Sequence, residues 1–240
     1  MQTAPRHALA RVQLLREDPG LCEAIPLEQQ PWAIEHCIAA AMTVMPGSWQ
    51  PEDLGLDPRA IGALVLDGLL LRRVGIDGRF GAELLGEGDL LQPGEGVYSS
   101  STMASTTRWR IITRSRVALL TGPVAERLAR YPSLTGALTG RALARARRLS
   151  MMLAIVHHPR VEVRLHMLLW HLADRWGRVR GDGVFLPLGL SHSVLADLIV
   201  AQRPSVTGGL KKLVERGSLK RFEDGWLLCG EPPVELLELQ

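Results

Sequence analysis

Cysteine is scarce in this 240-residue chain. Cys22, Cys37 and Cys229 are odd in number and far apart, which leaves no disulfide framework and no CxxC pair. A reducing, cytoplasmic setting fits best. No apolar run approaches the ~20 residues that span a bilayer, the longest uncharged candidate being Ser150–Val156. The opening MQTAPRHALARVQLLRED is amphipathic, without a signal-peptide core or cleavage site. Nucleophile elbow, phosphate loop, zinc spacing and carboxylate pair are all missing, so the expectation is that the chain is not an enzyme. Three scattered thiols cannot supply the four that an iron–sulfur cluster needs. The stretch from Cys37 to Leu120 holds no histidine pair for a metal, His166 and His171 do not share a helical face, and His157–His158 reads as a helix-end cation. No cofactor is expected. The net charge is only +3, so the chain is not a polycation and any nucleic-acid site must be local.

What the chain has is apolar residues, 46% of the total, enough for a core in each of two domains. From Cys37 to Leu120 short apolar runs such as IGALVL, LLLRRV and TRWRIITR alternate with Gly and Pro, which argues for an all-β sandwich or barrel. Pro19 to Trp32 reads as a helical, loop-rich lead-in. The polar stretch Gly94 to Thr107 reads as a long loop. After Pro123 the pattern changes. Leu134, Leu138, Ala142, Arg145, Leu149, Met152 and Val156 alternate at four and three residues, predicting one long helix with an apolar seam that needs a partner. Arg141, Arg145 and Arg148 share a face read as its solvated side. The helix ends at His157-His158-Pro159, because the residue before proline is pushed out of the helical region; this is the candidate domain boundary. VEVRLHMLLWHLADRW is a further helix, and Trp109, Trp170, Trp176 and Trp226 are read as core or anchoring residues.

The most informative stretch is Leu190 to Leu219. Ser191 is a good N-cap, and Val194, Leu195, Leu198 and Ile199 form one apolar face. A second helix opens at Arg203-Pro204, with proline in the first turn, and buries Val206, Leu210, Leu213 and Val214. The short turn between them suits two helices crossing steeply. SLKRFEDGWLL then predicts a hairpin around Asp224-Gly225. Helix, turn, helix and hairpin make a winged helix, with Arg203, Lys211, Lys212, Arg216, Lys220 and Arg221 as a basic face suited to phosphates.

A β domain, a long seam helix and a winged helix-turn-helix together resemble the Crp/Fnr (catabolite activator) family of transcription regulators over nearly the full length. The motif residues are Leu195-Ala196-Asp197-Leu198-Ile199 and Arg203-Pro204-Ser205-Val206. The resemblance implies an α+β fold: a β-roll or jelly-roll sensor domain over residues 1–133, a dimerisation helix over 134–158 and a winged helix over 159–240. It implies a homodimer seamed by Leu138, Ala142, Arg145, Leu149, Met152 and Val156, with double-stranded DNA and RNA polymerase as partners and no membrane. Arg203 matches the family's guanine-reading arginine. Ser205 and Thr207 would touch base edges or phosphates, and Lys211, Lys212, Lys220 and Arg221 would anchor the backbone, with Ser191, Gln202 and Gly208 completing the surface.

The chain departs from the family pattern in two places. Pro204 and Gly208 stand where typical members carry an acidic residue and a second arginine, so base preference should differ. Gly208 and Gly209 each lower helix propensity by roughly 1 kcal/mol relative to alanine, which points to close approach to DNA or a neighbouring helix, or to simple tolerance by packing. In the sensor, Gly88-Asp89-Leu90 resembles the family's glycine-aspartate turn and Gly94-Glu95 is a displaced candidate for its Gly-Glu pair. Ser105-Thr106 fall where the phosphate-holding arginine-serine pair would be. Arg108 or Arg110 could substitute, although both read as a solvated strand face. Without a fixed cation a buried phosphate is poorly compensated, so cyclic AMP is not the expected effector, and an unidentified small molecule stays open. Two rival readings also stay open: a sensor or interaction module whose helix-turn-helix binds no DNA, and a β-barrel enzyme.

Overall fold

The computed structural model describes residues 9–56, 59–92 and 105–233. It divides into two compact units, the main change falling between Arg147 and Arg148 inside one long helix, with the short segment Phe80–Ala82 grouped in the second.

The first unit opens with β1 (Ala10–Gln13), α1 (Leu14–Glu17), α2 (Pro19–Cys22) and α3 (Gln30–His36). Strands β2 (Ile38–Val44), β3 (Gly47–Trp49), β4 (Gly62–Asp67), β5 (Leu69–Ile76), β6 (Arg79–Gly86), β7 (Leu90–Leu91), β8 (Thr106–Ile111) and β9 (Ser115–Leu120) follow, then α4 (Gly122–Leu128) and α5 (Pro132–His157). The strands form two sheets, ordered β1-β2-β9-β4-β7 and β3-β8-β5-β6. Alternation along β4 and β9 explains the architecture. Ala63, Val65, Val117 and Leu119 share one core with Trp49, Leu70, Trp109 and Ile111 of the second sheet. Leu64, Leu66, Ala118 and Leu120 belong to the other core, with Leu14, Leu15, Leu21, Leu128 and Leu134 of the helices. Strand β4 is therefore apolar on both faces, which is why GALVL runs unbroken where a half-exposed strand would alternate. The asparagine-free β5–β6 turn uses Asp77 and Gly78, at φ 51° and 72°, the paired left-handed conformation of a tight hairpin.

Of the stretch read as a long loop, Thr106 and Thr107 are in β8, opposite Gly75 and Val74, and residues 94–104 lie outside the described residues. A larger correction concerns α5. Arg141 and Arg145 are not on a solvated face. Arg141 donates through both terminal nitrogens to Asp18, a buried carboxylate that also accepts the Leu21 N–H as N-cap of α2. Arg145 donates to both oxygens of Glu83 and to the Leu90 carbonyl at 2.9 Å, while Arg72 approaches the same Glu83 at 3.2 Å. Such forked, charge-assisted bonds fix orientation as well as adding energy. Leu134 and Leu138 are likewise buried in the core of this unit, whereas Leu143 and Leu153 stand 58% and 61% exposed. The uncovered stripe of the helix thus runs through Thr139, Leu143, Ala146, Ser150 and Leu153. Of the seam the sequence suggested, Leu134 and Leu138 belong to this core, Ala142 is exposed, and Leu149, Met152 and Val156 are half-buried.

The second unit contains α6 (Val161–Trp176), β10 (Arg178–Arg180), β11 (Gly183–Leu186), α7 (His192–Leu198), α8 (Arg203–Glu215), β12 (Leu219–Arg221) and β13 (Trp226–Leu228). Its strands pair in the order β10-β11-β13-β12. The hairpin at Asp224-Gly225 forms, with Arg221 opposite Trp226. Its glycine is needed for a different reason from turn type: Gly225 takes no left-handed φ, but a Cβ there would lie 2.1 Å from the Leu186 carbonyl oxygen.

Removing one partner of a mostly buried ion pair strands the other charge. Glu83→Gln is therefore expected to destabilise the first unit by about 3 kcal/mol in urea unfolding, with Arg145 losing its charge partner.

Candidate nucleic-acid interface

The surface is built from α7, α8 and the β12–β13 hairpin. Ser191 caps α7, its hydroxyl oxygen accepting the Val194 N–H at 3.3 Å. Val194, Leu195 and Leu198 turn inward from α7, and Val206, Leu210 and Leu213 from α8; Val214, expected inside, is 45% exposed. The turn between the helices puts Val200 at φ 52°, where a β-branched side chain is strained. Arg164 of α6 braces this turn. Its guanidinium donates to the Ile199 and Val200 carbonyls at 3.0 and 3.3 Å, and to the His158 carbonyl at 2.6 Å. One side chain thereby joins the end of α5 to the helix-helix turn, wholly within this unit.

Helix α8 begins at Arg203 with Pro204 in its first turn and Gln202 at the N-cap, where the side chain makes no capping bond. The two glycines separate cleanly. A Cβ on Gly209 would fall 2.7 Å from Leu165 Cδ1 and 3.4 Å from Glu162 Cα, so this glycine lets α8 lie against α6. A Cβ on Gly208 would meet nothing within 4 Å. Packing accounts for Gly209 alone.

Every residue predicted for this surface is exposed: Ser191, Gln202, Arg203, Ser205, Thr207, Gly208, Lys211, Lys212, Lys220 and Arg221. Lys211 reaches Glu215 at 3.6 Å, an exposed pair one helical turn apart that holds the lysine only weakly. The Thr207 hydroxyl donates to the Arg203 carbonyl at 3.2 Å. The Arg221 guanidinium lies over the Trp226 ring at 5.0 Å. The sequence reading missed His192, which sits 2.9 Å from Thr207 Oγ1 and 3.4 Å from Arg221 Nη1. Burial first, then the charges of Arg221 and Arg203, hold its imidazole below the ordinary histidine range. Its only sequence signal is its place directly after the Ser191 cap. Arg164 carried no signal, since its acceptors are backbone carbonyls.

For the effector candidates the geometry offers less. Gly94 and Glu95 lie outside the described residues. Ser105 and Thr106 are exposed at the start of β8, and Arg108 is exposed opposite Arg73. Asp89 is buried, accepting the Gly86 N–H at 2.9 Å, so the Gly88-Asp89 turn is self-capped. Among the described residues no three His, Cys, Asp or Glu side chains are grouped to hold a metal, and no helix is long and apolar enough to cross a membrane.

No protein-family model and no curated protein sequence matches the chain. Solved structures do. A cyclic nucleotide-binding domain containing protein from Listeria monocytogenes aligns over 88% of this chain and 96% of its own, with a TM-score of 0.66 at 16% identity. FixK2 from Bradyrhizobium japonicum aligns over 84% and 96%, at 0.61 and 17%. A CooA mutant from Carboxydothermus hydrogenoformans aligns over 94% and 93%, at 0.61 and 14%.

The two glycines of α8 make separable predictions. Gly208→Ala should raise stability by about 1 kcal/mol through helix propensity. Gly209→Ala should lower it by about 1 kcal/mol or more, because the added Cβ forces the fully buried Leu165 side chain to shift. Urea unfolding followed by tryptophan fluorescence compares them directly. With its two-sheet unit, long helix and winged helix-turn-helix, the chain has a Crp/Fnr-like fold.

Proposed function

We propose that the chain is a sequence-specific DNA-binding transcription regulator, cytoplasmic and not an enzyme, acting as a homodimer on a near-palindromic site. The observation that carries this reading is the outer face of α8. Arg203, Ser205, Thr207, Lys211 and Lys212 are all exposed on the second helix of a helix-turn-helix, with Lys220 and Arg221 beside them on the hairpin. Arg203 makes the bidentate contact to guanine O6 and N7, and the lysines and Arg221 neutralise phosphates. Transcription control brings RNA polymerase as a further partner. Pro204 and Gly208 supply no base-reading group, so the target sequence is this chain's own.

Two copies pair through α5. The stripe Thr139, Leu143, Ala146, Ser150 and Leu153 repeats at four and three residues, the spacing of a two-helix seam, and its leucines are exposed. That seam sets two recognition helices about one helical turn of DNA apart. Cyclic AMP is not the effector in this reading. The two guanidiniums that α5 turns toward the β unit are already engaged by Asp18 and Glu83, and an effector, where there is one, is another small molecule.

Duplex binding should weaken steeply as salt rises, because phosphate neutralisation releases counterions. Lys212→Ala should weaken all duplexes together and reduce the salt slope by about one, whereas Arg203→Ala should cost about 1–3 kcal/mol and relax one base position. Fluorescence anisotropy on a panel of single-base variants separates the two. Equal loss on every sequence for Arg203→Ala overturns its assignment, and salt-independent association overturns the DNA reading. Leu153→Glu places a charge in the seam and should shift the sedimentation of the native dimer to the monomer.

A further inference from the structure

Three residues from three elements meet at one ring. His192 begins α7, Thr207 lies on α8, and Arg221 ends β12. Donor counting fixes how they connect. Thr207 has one hydroxyl proton, and it is donated to the Arg203 carbonyl. Arg221 Nη1 can only donate, so its 3.4 Å contact makes His192 Nε2 the acceptor; the proton of the neutral imidazole is then on Nδ1, which donates to the Thr207 hydroxyl at 2.9 Å.

We propose that His192 is a positioning residue of the reading head: its Nδ1–H tautomer ties Thr207 of the recognition helix to Arg221 of the hairpin, and duplex binding adds a proton at its Nε2. The inference rests on this face being the DNA interface.

The proton balance is simple. In the free chain the charged groups acting on the ring are Arg203 from α8 and Arg221 from β12, both cationic, and with burial they favour the neutral ring. A DNA phosphate beside Arg221 offsets those charges. Nε2 then takes a proton from solvent, loses its lone pair, and becomes a donor to the phosphate oxygen, while the Arg221 N–H it had accepted turns to the same phosphate. Nδ1–H stays on Thr207 throughout. No other bond changes.

The sign follows by linkage. The complex holds the proton more tightly than the free chain, so affinity rises as pH falls through the bound-state value and levels off below the free-state one. Each pKa unit separating the two states is worth about tenfold in affinity per reading head.

The test uses the full-length chain and a defined duplex that it binds. Anisotropy titrations from about pH 8 to about pH 6, spanning the ordinary histidine value, should show affinity rising several-fold, with calorimetry in two buffers of different ionisation heat recording net proton uptake. His192→Asn keeps an amide donor for Thr207 and cannot titrate; it should bind with a flat pH profile and no uptake. The imidazole ¹⁵N shifts of the free chain should show the Nδ1–H tautomer, and Arg221→Gln should raise the His192 pKa. A pH profile that persists in His192→Asn, a flat profile in the native chain, or an Nε2–H tautomer overturns the proposal while leaving DNA binding intact. Absence of duplex binding at every pH and salt overturns the DNA reading and the proton linkage together.

Discussion

The exposed face of α8 depends on one close approach. Helix α8 lies so close to α6 that a Cβ at position 209 would fall 2.7 Å from Leu165 Cδ1 and 3.4 Å from Glu162 Cα. A glycine inside a helix weakens it intrinsically, and here the weakness is offset by packing: with the backbone seated on α6, Val206, Leu210 and Leu213 reach the core. Whatever those residues fix on the inner face fixes Arg203, Ser205, Thr207 and Lys211 on the outer one, because a helix is a rigid cylinder with a period of 3.6 residues. Arg164 then holds the turn that feeds α8, including the strained Val200. A helix-turn-helix surface held this way is preorganised by its own unit.

Charge is divided between two roles. On α5 the guanidiniums of Arg141 and Arg145 are largely buried and answered by Asp18 and Glu83; they are structural pins. On α8 and β12 the basic side chains are exposed, and Lys211 makes only an exposed contact with Glu215 one turn away. The same residue type is thus a fastener in one unit and an exposed cation in the other. Net charge, which is only +3, reports neither role.

Much of this was legible in the sequence because it is local. The Ser191 cap, the apolar spacing of α7 and α8, the opening at Arg203-Pro204 and the Asp224-Gly225 hairpin all rest on residues within a few positions of one another, and each element forms where the pattern placed it. What was not legible is long-range. Arg141 and Asp18 are 123 residues apart and Arg145 and Glu83 are 62 apart, so a helical-face argument could only assign the arginines to solvent. The same blindness put Leu134 and Leu138 in the seam, since periodicity shows that a helix has faces but not which residues its own core will cover. The β10–β11 hairpin around Gly181-Asp182 escaped notice for another reason: β10 is three residues long and wholly exposed, so it leaves no hydrophobic pattern. The joint at His192 is legible only once three elements are in place.

The central claim is that two copies of α8 read DNA as a symmetric pair. Selection of bound duplexes from a random pool with the full-length chain tests it most directly. The account predicts enrichment of a near-palindromic sequence whose half-sites are centred about one helical turn apart. Recovery of no common sequence, or of a single half-site without its mirror, would contradict it.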